Sequence, residues 1–432
     1  MLKKILILLP FLLTNKLFAQ NTLTVHQAIE TALKNNYDII IQKNKSAILK
    51  TNSDASIANF LPKAGVNISK SGSINSIDQK FSNGTETTKD GVTGSNFNPQ
   101  LNISWTLFDG MKMFAVKSRL KKLSEIGELN YKDSLQTLIA QTIIAYYDIV
   151  SATMQLKALN DAIKISDERV TLTEKQYLVG ASSKVDWLQA RVDLNEEKSL
   201  VINQLNLIEQ KKADLNRLMA LAPETNFVTV DSISFADNIS LSTTNELENQ
   251  NFQLLMAEKS RQISYLNKKE VFANYLPQLS VSGNYGLSRS KNSAGFSLLN
   301  QTNGFSGGVS LYVPIFAGTL TQKQVKVANI NTLNAEMMYQ KIHLQTNLKY
   351  FKAQKDFEKA TSILKMEQEN ILLADENLKI AAERFRLAQS TAIEMRQAET
   401  SYSNAMNRLL QAKFALKSAE TELLRLMGKL VN

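Results

Sequence analysis

Two long stretches of the chain, 109–221 and 317–430, carry the clearest pattern of apolar and polar positions, and neither contains proline. Small and apolar residues recur there in alternating steps of four and three, which keeps them on one face of a long packed helix. Each stretch is interrupted once, at 177–182 and at 385–390. The pattern predicts two hairpins of long antiparallel helices. The seam positions are Leu135, Leu138, Thr142, Ala145, Ile149, Ala152, Leu156, Leu159, Ile163, Ser166, Val170, Thr173 and Tyr177 in the first stretch and Ala398, Tyr402, Ala405, Leu409, Ala412, Leu416, Ala419, Leu423, Leu426 and Leu430 in the second.

Two other windows, 65–110 and 283–318, alternate with a period of two residues and hold thirteen of the sixteen glycines. The pattern in each window predicts two strands of about nine to eleven residues, joined by a polar loop. The two loops are predicted at about 72–98 and 288–304. One face of each strand is apolar, the other carries Ser, Asn, Thr and Gly, and aromatic residues stand near the strand ends. This pattern suits strands between lipid and water. A small, half-buried soluble sheet would alternate in the same way and is the alternative.

The order of helix, two strands and helical hairpin occurs twice, with the first helices predicted over 25–60 and 247–275. A repeat of this length is one structural half and not a short solenoid unit. The matched motifs are Asn36-Tyr37 with Asn251-Phe252 and Phe60-Leu61-Pro62 with Tyr275-Leu276-Pro277, both 215 residues apart, and Phe108-Asp109-Gly110 with Phe316-Ala317-Gly318, 208 residues apart.

These matches set the predicted boundaries. The first repeat covers 20–222, with a β-hairpin at about 64–108 and a helical hairpin at 110–221; a connector covers 223–245; the second repeat covers 246–432, with a β-hairpin at about 278–314 and a helical hairpin at 318–430. The predicted fold class is mainly α, with long antiparallel coiled-coil helices, four β-strands per chain and an internal two-fold repeat.

The first residues resemble a secretory signal peptide. A basic start, a short apolar run and Ala19 before a cleavage point predict a signal over 1–19. No other stretch is apolar for the roughly 20 residues that a membrane-spanning helix needs, so any span would be made of strands. The chain has no cysteine, and an exported protein of this composition is held together by packing. Its net charge of +10 is spread along the helices, which argues against nucleic-acid binding.

The sequence offers no catalytic constellation. Its only histidines, His26 and His343, lie in helical patterns, and the twelve methionines are dispersed. Without cysteine there is no soft-metal site, and no glycine-rich phosphate loop follows a strand. We therefore expect no enzyme activity, no metal and no cofactor.

Four strands cannot close a membrane barrel, because open edges are not tolerated in lipid and the small barrels begin at eight strands. The chain must pool strands with identical copies. Two, three or four copies would give eight, twelve or sixteen strands, and the strand count does not choose among them.

The repeated motifs resemble those of TolC-type outer-membrane efflux proteins over essentially the whole mature chain. The most specific is the pattern at the interruption of the first helical hairpin, Tyr177-x-x-Gly180-x-x-x-x-x-Asp186-x-x-x-Ala190, which returns as Phe385-x-x-Ala388-x-x-x-x-x-Glu394-x-x-x-Ala398. The second copy departs from the pattern because Ala388 stands where glycine is expected.

This resemblance implies a homotrimer in the outer membrane of a Gram-negative bacterium, with a twelve-stranded β-barrel and an α-helical tube, or α-barrel, in the periplasm. The implied function is that of a passive exit duct in a tripartite efflux or type I secretion system. The implied partners are a periplasmic adaptor (membrane fusion) protein, an inner-membrane RND, ABC or MFS transporter, and outer-membrane lipid. The alternative is a periplasmic coiled-coil adaptor or scaffold protein whose strands form a soluble domain.

The resemblance also implies that the helix tips contact the adaptor. The residues concerned are Tyr177, Val179, Gly180, Ala181 and Ser182 at the first tip and Phe385, Leu387, Ala388, Gln389 and Ser390 at the second. Asp186 and Glu394 follow the tips by six residues. Each would form a ring of three carboxylates at a pore constriction, where like charges select cations. The alternative role is structural, since a helix N-terminus favours acidic side chains through its dipole.

Overall fold

A computed structural model describes residues 22–230, 232–236 and 244–431. The predicted signal peptide and part of the connector lie outside the described residues. The first half of the chain contains β1 (Thr22–Leu23), α1 (Val25–Asn35), α2 (Tyr37–Ala55), β2 (Lys63–Lys80), β3 (Glu86–Asp109), α3 (Lys112–Leu178) and α4 (Lys184–Leu218). The second half contains β4 (Val228–Thr229), α5 (Thr244–Gln250), α6 (Phe252–Phe272), β5 (Gln278–Asn292), β6 (Leu299–Tyr312), α7 (Leu320–Arg386) and α8 (Ala392–Leu426).

The contacts divide the chain into two compact units. Among the described residues, the helical unit contains those up to Ile40, those within Asp133–Asn251 and those from Asn347 onward. The sheet unit contains Ile41–Lys132 and Phe252–Thr346. Both units draw on both repeats, because α3 and α7 each pass from the sheet unit into the helical unit.

The sheet unit is built on one four-stranded antiparallel sheet in the order β2-β3-β5-β6. The pairing of β3 with β5 joins the two repeats, as in Leu101 opposite Tyr285. The Trp105 indole donates a hydrogen bond to the Phe60 carbonyl oxygen at 2.9 Å, which fastens the sheet to the turn before β2. The apolar face is uncovered in the single chain, with Val309 71% and Leu311 64% exposed.

The strands are longer than the sequence predicts, with 18 residues in β2 and 24 in β3. The predicted polar loop at 72–98 was therefore wrong: only residues 81–85 separate the two strands. The loop predicted at 288–304 is shortened in the same way. An antiparallel ladder is held by backbone hydrogen bonds, so Ser, Thr, Asn and Gly can continue it without an apolar face.

Most of the two hairpins, α3 with α4 and α7 with α8, lies in the helical unit. Seven positions of the seam predicted for the second hairpin are buried, and Tyr402, Ala419 and Leu430 are half-buried. The buried positions are Ala398, Ala405, Leu409, Ala412, Leu416, Leu423 and Leu426. The predicted fold class of long antiparallel helices with four antiparallel strands is confirmed. A short parallel pair, β1 with β4, was not predicted, because two residues are too few to show a period. No helix among the described residues is long and apolar enough to cross a membrane.

The predictions of unbroken helices over 25–60 and 247–275 were wrong, since each breaks at an asparagine. The Asn36 side chain accepts hydrogen bonds from the backbone N–H groups of Asp38 at 2.9 Å and Ile39 at 3.3 Å, and so caps α2. Its amide group donates to the Leu218 carbonyl oxygen at the end of α4 at 3.0 Å. In the second repeat, the side-chain amide of Asn251 donates to the Leu426 carbonyl oxygen at 2.9 Å. Each asparagine thus clamps the first helix of its repeat to the last.

Candidate functional site

The first helix tip is the turn between α3 and α4. Gly180 has a left-handed backbone with φ of 76°. Its N–H donates to the Tyr177 carbonyl oxygen at 3.0 Å, and the Ala181 N–H donates to the Gln176 carbonyl oxygen at 2.7 Å. These two bonds form a Schellman motif, which satisfies carbonyl groups at the end of a helix and usually requires glycine at the left-handed position.

The second tip, between α7 and α8, has the same geometry although it lacks the glycine. Ala388 adopts a φ of 56°. Its N–H donates to the Phe385 carbonyl oxygen at 3.1 Å, and the Gln389 N–H donates to the Arg384 carbonyl oxygen at 2.8 Å. Alanine in place of glycine therefore leaves the geometry of the turn unchanged. The energetic cost is the left-handed backbone conformation of Ala388, which is unfavourable for a residue with a Cβ.

Both tips expose apolar side chains in matched positions. Val179 and Leu387, 208 residues apart, are 78% and 53% exposed. Val185 and Ile393, also 208 apart, are 72% and 73% exposed. Neither Val185 nor Ile393 was among the predicted site residues, although their apolar character directly after the turn residues was a usable signal. Exposed apolar side chains grouped on a turn are typical of a surface that another protein covers.

The aromatic residues of the two tips differ. Tyr177 stacks on Trp187, with ring centroids 5.9 Å apart and an angle of 9° between the planes. Phe385, in contrast, is only 4% exposed and packs with Leu378, Met395 and Ala398. Its assignment to the contact surface needs correction, because a buried ring stabilises the tip from inside. Among the remaining predicted residues, Gly180, Ala181, Ala388 and Gln389 are exposed, and Ser182 and Ser390 are half-buried.

Asp186 is held by the turn itself. Its carboxylate accepts hydrogen bonds from the Ser183 hydroxyl at 2.7 Å, the Ser182 hydroxyl at 3.0 Å and the Ser183 backbone N–H at 3.2 Å. The Ser183 hydroxyl in turn accepts from the Asp186 N–H at 3.1 Å, which completes a capping box at the start of α4. The two serine hydroxyls lower the pKa of the Asp186 carboxyl. These contacts favour the structural role for Asp186.

Glu394 occupies the matching position on α8 with a freer carboxylate. The Glu394 N–H donates to the Thr391 hydroxyl at 3.2 Å, so Thr391 caps α8. The nearest cation to the Glu394 carboxylate is Arg384 at 3.9 Å, and both side chains are 54% exposed. A half-exposed carboxylate with one distant partner keeps its charge available to solvent and ions.

The two hairpins pack against each other behind the tips. Ile165 and Leu172 of α3 lie against the cluster around Phe385 on α7 and Met395 on α8. A few residues further from the turns, Arg169 of α3 reaches acids on α4 and α8. Sequence reasoning missed this charged cluster. Arg169 stands beside the apolar seam, which was a usable signal, but the three helices that meet there are far apart in the sequence.

The described residues contain no group of three or more His, Cys, Asp or Glu side chains that could hold a metal ion. The arrangement around the tips consists of two exposed turns, each with apolar residues and an acid. It can bind another protein, and the Ser183 hydroxyl beside the Asp186 carboxylate is accounted for by the capping box of α4.

Comparison with known proteins matches the chain twice to the model of the outer membrane efflux protein family, over residues 28–221 and 243–429. The outer membrane protein TolC of Escherichia coli (strain K12) is 20% identical over 352 residues, which are 78% of this chain and 70% of TolC.

Solved structures share the fold. The outer-membrane channel OprN superposes with a TM-score of 0.79 at 19% identity, covering 94% of this chain and 89% of OprN. The Campylobacter jejuni CmeC outer membrane channel gives 0.79 at 18% identity, covering 94% and 86%. The two family matches reproduce the predicted duplication, with one match in each repeat.

Proposed function

Because the chain belongs to the outer membrane efflux protein family, as a TolC-type outer-membrane efflux channel of Gram-negative bacteria, we propose that three copies form a passive exit duct that docks a periplasmic adaptor at its helix tips. The channels of this family form trimers in tripartite efflux systems and are not enzymes. The family decides against the alternative of a periplasmic adaptor or scaffold protein.

The sheet supports a closed ring built from several copies, and the family supports three as their number. One chain supplies four long strands with an uncovered apolar face, and three chains supply twelve. A closed ring of strands leaves no edge in lipid, while the faces of Ser, Thr, Asn and Gly line a wet passage. Substrates pass through without chemical change, and the energy comes from an inner-membrane RND, ABC or MFS transporter.

The single observation that carries adaptor docking is the matched apolar exposure at the two tips. Val179, Val185, Leu387 and Ile393 all lie more than half exposed on the two turns. Burying such side chains against a partner contributes about 25 cal/mol per Å² of apolar surface. A charge placed there would have to be buried unpaired, which a docking surface does not tolerate.

The test replaces Val185 and Ile393 by aspartate, singly and together. We expect the double variant to lose efflux of a fluorescent substrate in a host that lacks its own channel, while detergent-solubilised trimers form as in the wild type. Lys184→Asp is the matched control, because it places the same charge beside Val185 on an exposed position without removing apolar surface. It should keep efflux within about twofold, since exposed charges contribute little.

Efflux at the wild-type level in the double variant would contradict docking at the tips. Loss of trimers in the same variant would instead assign these residues to assembly. The trimer measurement therefore separates failure of docking from failure of the duct.

A further inference from the structure

One buried guanidinium joins the two helical hairpins. Arg169 on α3 donates to the Asp193 carboxylate on α4 at 3.1 Å and lies 3.4 Å from the Glu399 carboxylate on α8. The Arg169 side chain is 4% exposed, and those of Asp193 and Glu399 are each 11% exposed. Removing a charge from water is costly unless it is paired, so this contact constrains all three helices.

The acids at this point outnumber the buried cation. Glu197 on α4 enters the same space, where its carboxylate accepts a hydrogen bond from the Ser166 hydroxyl at 2.8 Å. Arg396 on α8 lies 3.5 Å from Asp193, but its side chain is 54% exposed and well solvated. Two carboxylates, Asp193 and Glu399, therefore pair with one buried guanidinium, and the third, Glu197, lies in the same space without an ion pair to it. An excess buried negative charge is relieved most simply by taking up a proton.

Three polar atoms in this cluster have no hydrogen-bond partner among the described residues: Oε1 of Glu399, Oε2 of Glu197 and Nε of Arg169. They lie beside a cavity of about 600 Å³ between α3, α4 and α8. Buried polar atoms without partners are rare in folded proteins, and each calls for an explanation. A proton on either carboxyl oxygen would make it a hydrogen-bond donor.

The remaining charges do not neutralise this excess. Glu196 of α4 also lines the cavity and adds a further negative charge at its exposed rim. On α7, the cavity is lined by Leu378, while Asp375 and Lys379 pair with each other at 2.6 Å on the surface. In the part of the chain that the structure describes, no group of acidic, histidine or cysteine side chains could hold a metal ion in place of a proton.

We propose that Glu399 and Glu197 form a proton-binding site between the two helical hairpins, and that uptake of a proton holds the hairpins together. The site lies within one chain and goes beyond the proposed docking, on which it does not depend. Its chemistry is reversible protonation of a carboxylate, with the proton exchanged with water through the cavity.

The electrostatics of the cluster determine how the stability of the packed hairpins changes with pH. Burial raises the pKa of Glu399 from 4.5 to about 7, against the opposing attraction of Arg169, and the charges of Glu197 and Asp193 raise it further. Burial also raises the pKa of Glu197. Packed hairpins thus bind the proton more tightly than separated ones, in which Glu399 is solvated. The stabilisation is fully present below pH 4.5 and is lost as the pH rises through about 7.

Because the chain has no cysteine of its own, labels on introduced cysteines can measure the separation of the two hairpins directly. Spin labels on Thr171→Cys of α3 and Gln397→Cys of α8, both exposed positions, report the distance between the hairpins. Labelled full-length chain is assembled with an excess of unlabelled chain, so that distances within one chain dominate. Between pH 5 and 7, the ratio of separated to packed hairpins should rise by about tenfold per pH unit, as expected for one linked proton. Above pH 7 it should level off.

Glu399→Gln mimics the protonated state and should abolish the pH dependence, leaving the hairpins packed. Glu422→Gln on the same helix is the matched control and should behave as wild type, because Glu422 pairs with Arg425 at 2.7 Å elsewhere. Glu197→Gln keeps both ion pairs of Arg169 and should move the midpoint to lower pH, since it removes a neighbouring negative charge. Distances that do not change with pH in the wild type, a pH response that persists in Glu399→Gln, or an unmoved midpoint in Glu197→Gln would each overturn the proposal.

Discussion

Exchanging the residues at the left-handed positions of the two tips should have opposite effects on the turns. The turns at Gly180 and Ala388 are closed by the same two hydrogen bonds, and the two residues have φ values of 76° and 56°. A Cβ added at Gly180 would meet no atom within 4 Å, so Gly180→Ala introduces no clash. The expected effect of Gly180→Ala therefore comes from backbone conformation alone.

The magnitude follows from two opposing contributions. A residue with a Cβ costs roughly 1–2 kcal/mol in the left-handed region. Glycine loses more backbone entropy on ordering, which costs about 0.5–1 kcal/mol relative to alanine. The net preference for glycine is about 0.5–1 kcal/mol, or about a two- to fivefold change in the equilibrium for opening the turn. Gly180→Ala should loosen the first tip by this factor, and Ala388→Gly should tighten the second.

Hydrogen exchange of the tip amides measures this equilibrium. The Ala181 and Gln389 N–H groups close the two Schellman motifs, so they exchange only when the turns open. In each variant the unaltered tip is the internal control and should exchange at its wild-type rate. The backbone explanation fails if both substitutions change exchange in the same direction, or if neither changes it by more than about 1.5-fold.

Two further predictions concern the clamp and the acid of the second tip. Asn36→Ala removes three hydrogen bonds and leaves the buried Leu218 carbonyl oxygen without that donor. The free energy of unfolding should therefore fall by about 2–3 kcal/mol. Denaturant unfolding of the solubilised protein measures this loss, and a loss below about 0.5 kcal/mol would contradict the clamp. Glu394→Gln removes a half-exposed carboxylate from each chain. If this acid lines the pore, the preference for cations in single-channel recordings should decrease. Unchanged selectivity would leave Glu394 with a structural role.

Periodicity predicted the parts of the fold that depend on one-sided burial. The seam from Ala398 to Leu426 packs as its spacing required. The strand ends could not be predicted in this way, because the extension from about Gly72 to Lys80 contains only two apolar residues, Ile74 and Ile77, which do not follow a period of two. This extension is held by the backbone. The breaks at Asn36 and Asn251 were missed for a different reason: each asparagine bonds a carbonyl in a helix far along the chain, and no local pattern records that partner.

For the site, the sequence located both turns but not what surrounds them. The tip motif identified Gly180 and Ala388, because turn residues interrupt a helical period visibly. Phe385 is buried in a cluster against which Ile165 and Leu172 of the other repeat pack, and no local pattern records those partners. The charged cluster at Arg169 likewise exists only where three helices meet.

The asparagine clamps have a consequence for how the protein folds. The bond from Asn36 to Leu218 joins residues 182 positions apart, and that from Asn251 to Leu426 joins residues 175 apart. Each clamp therefore closes a loop of nearly a whole repeat, at an entropic cost that grows only slowly with the length of the loop. Because each clamp closes within its own repeat, the two repeats can complete this step independently of each other.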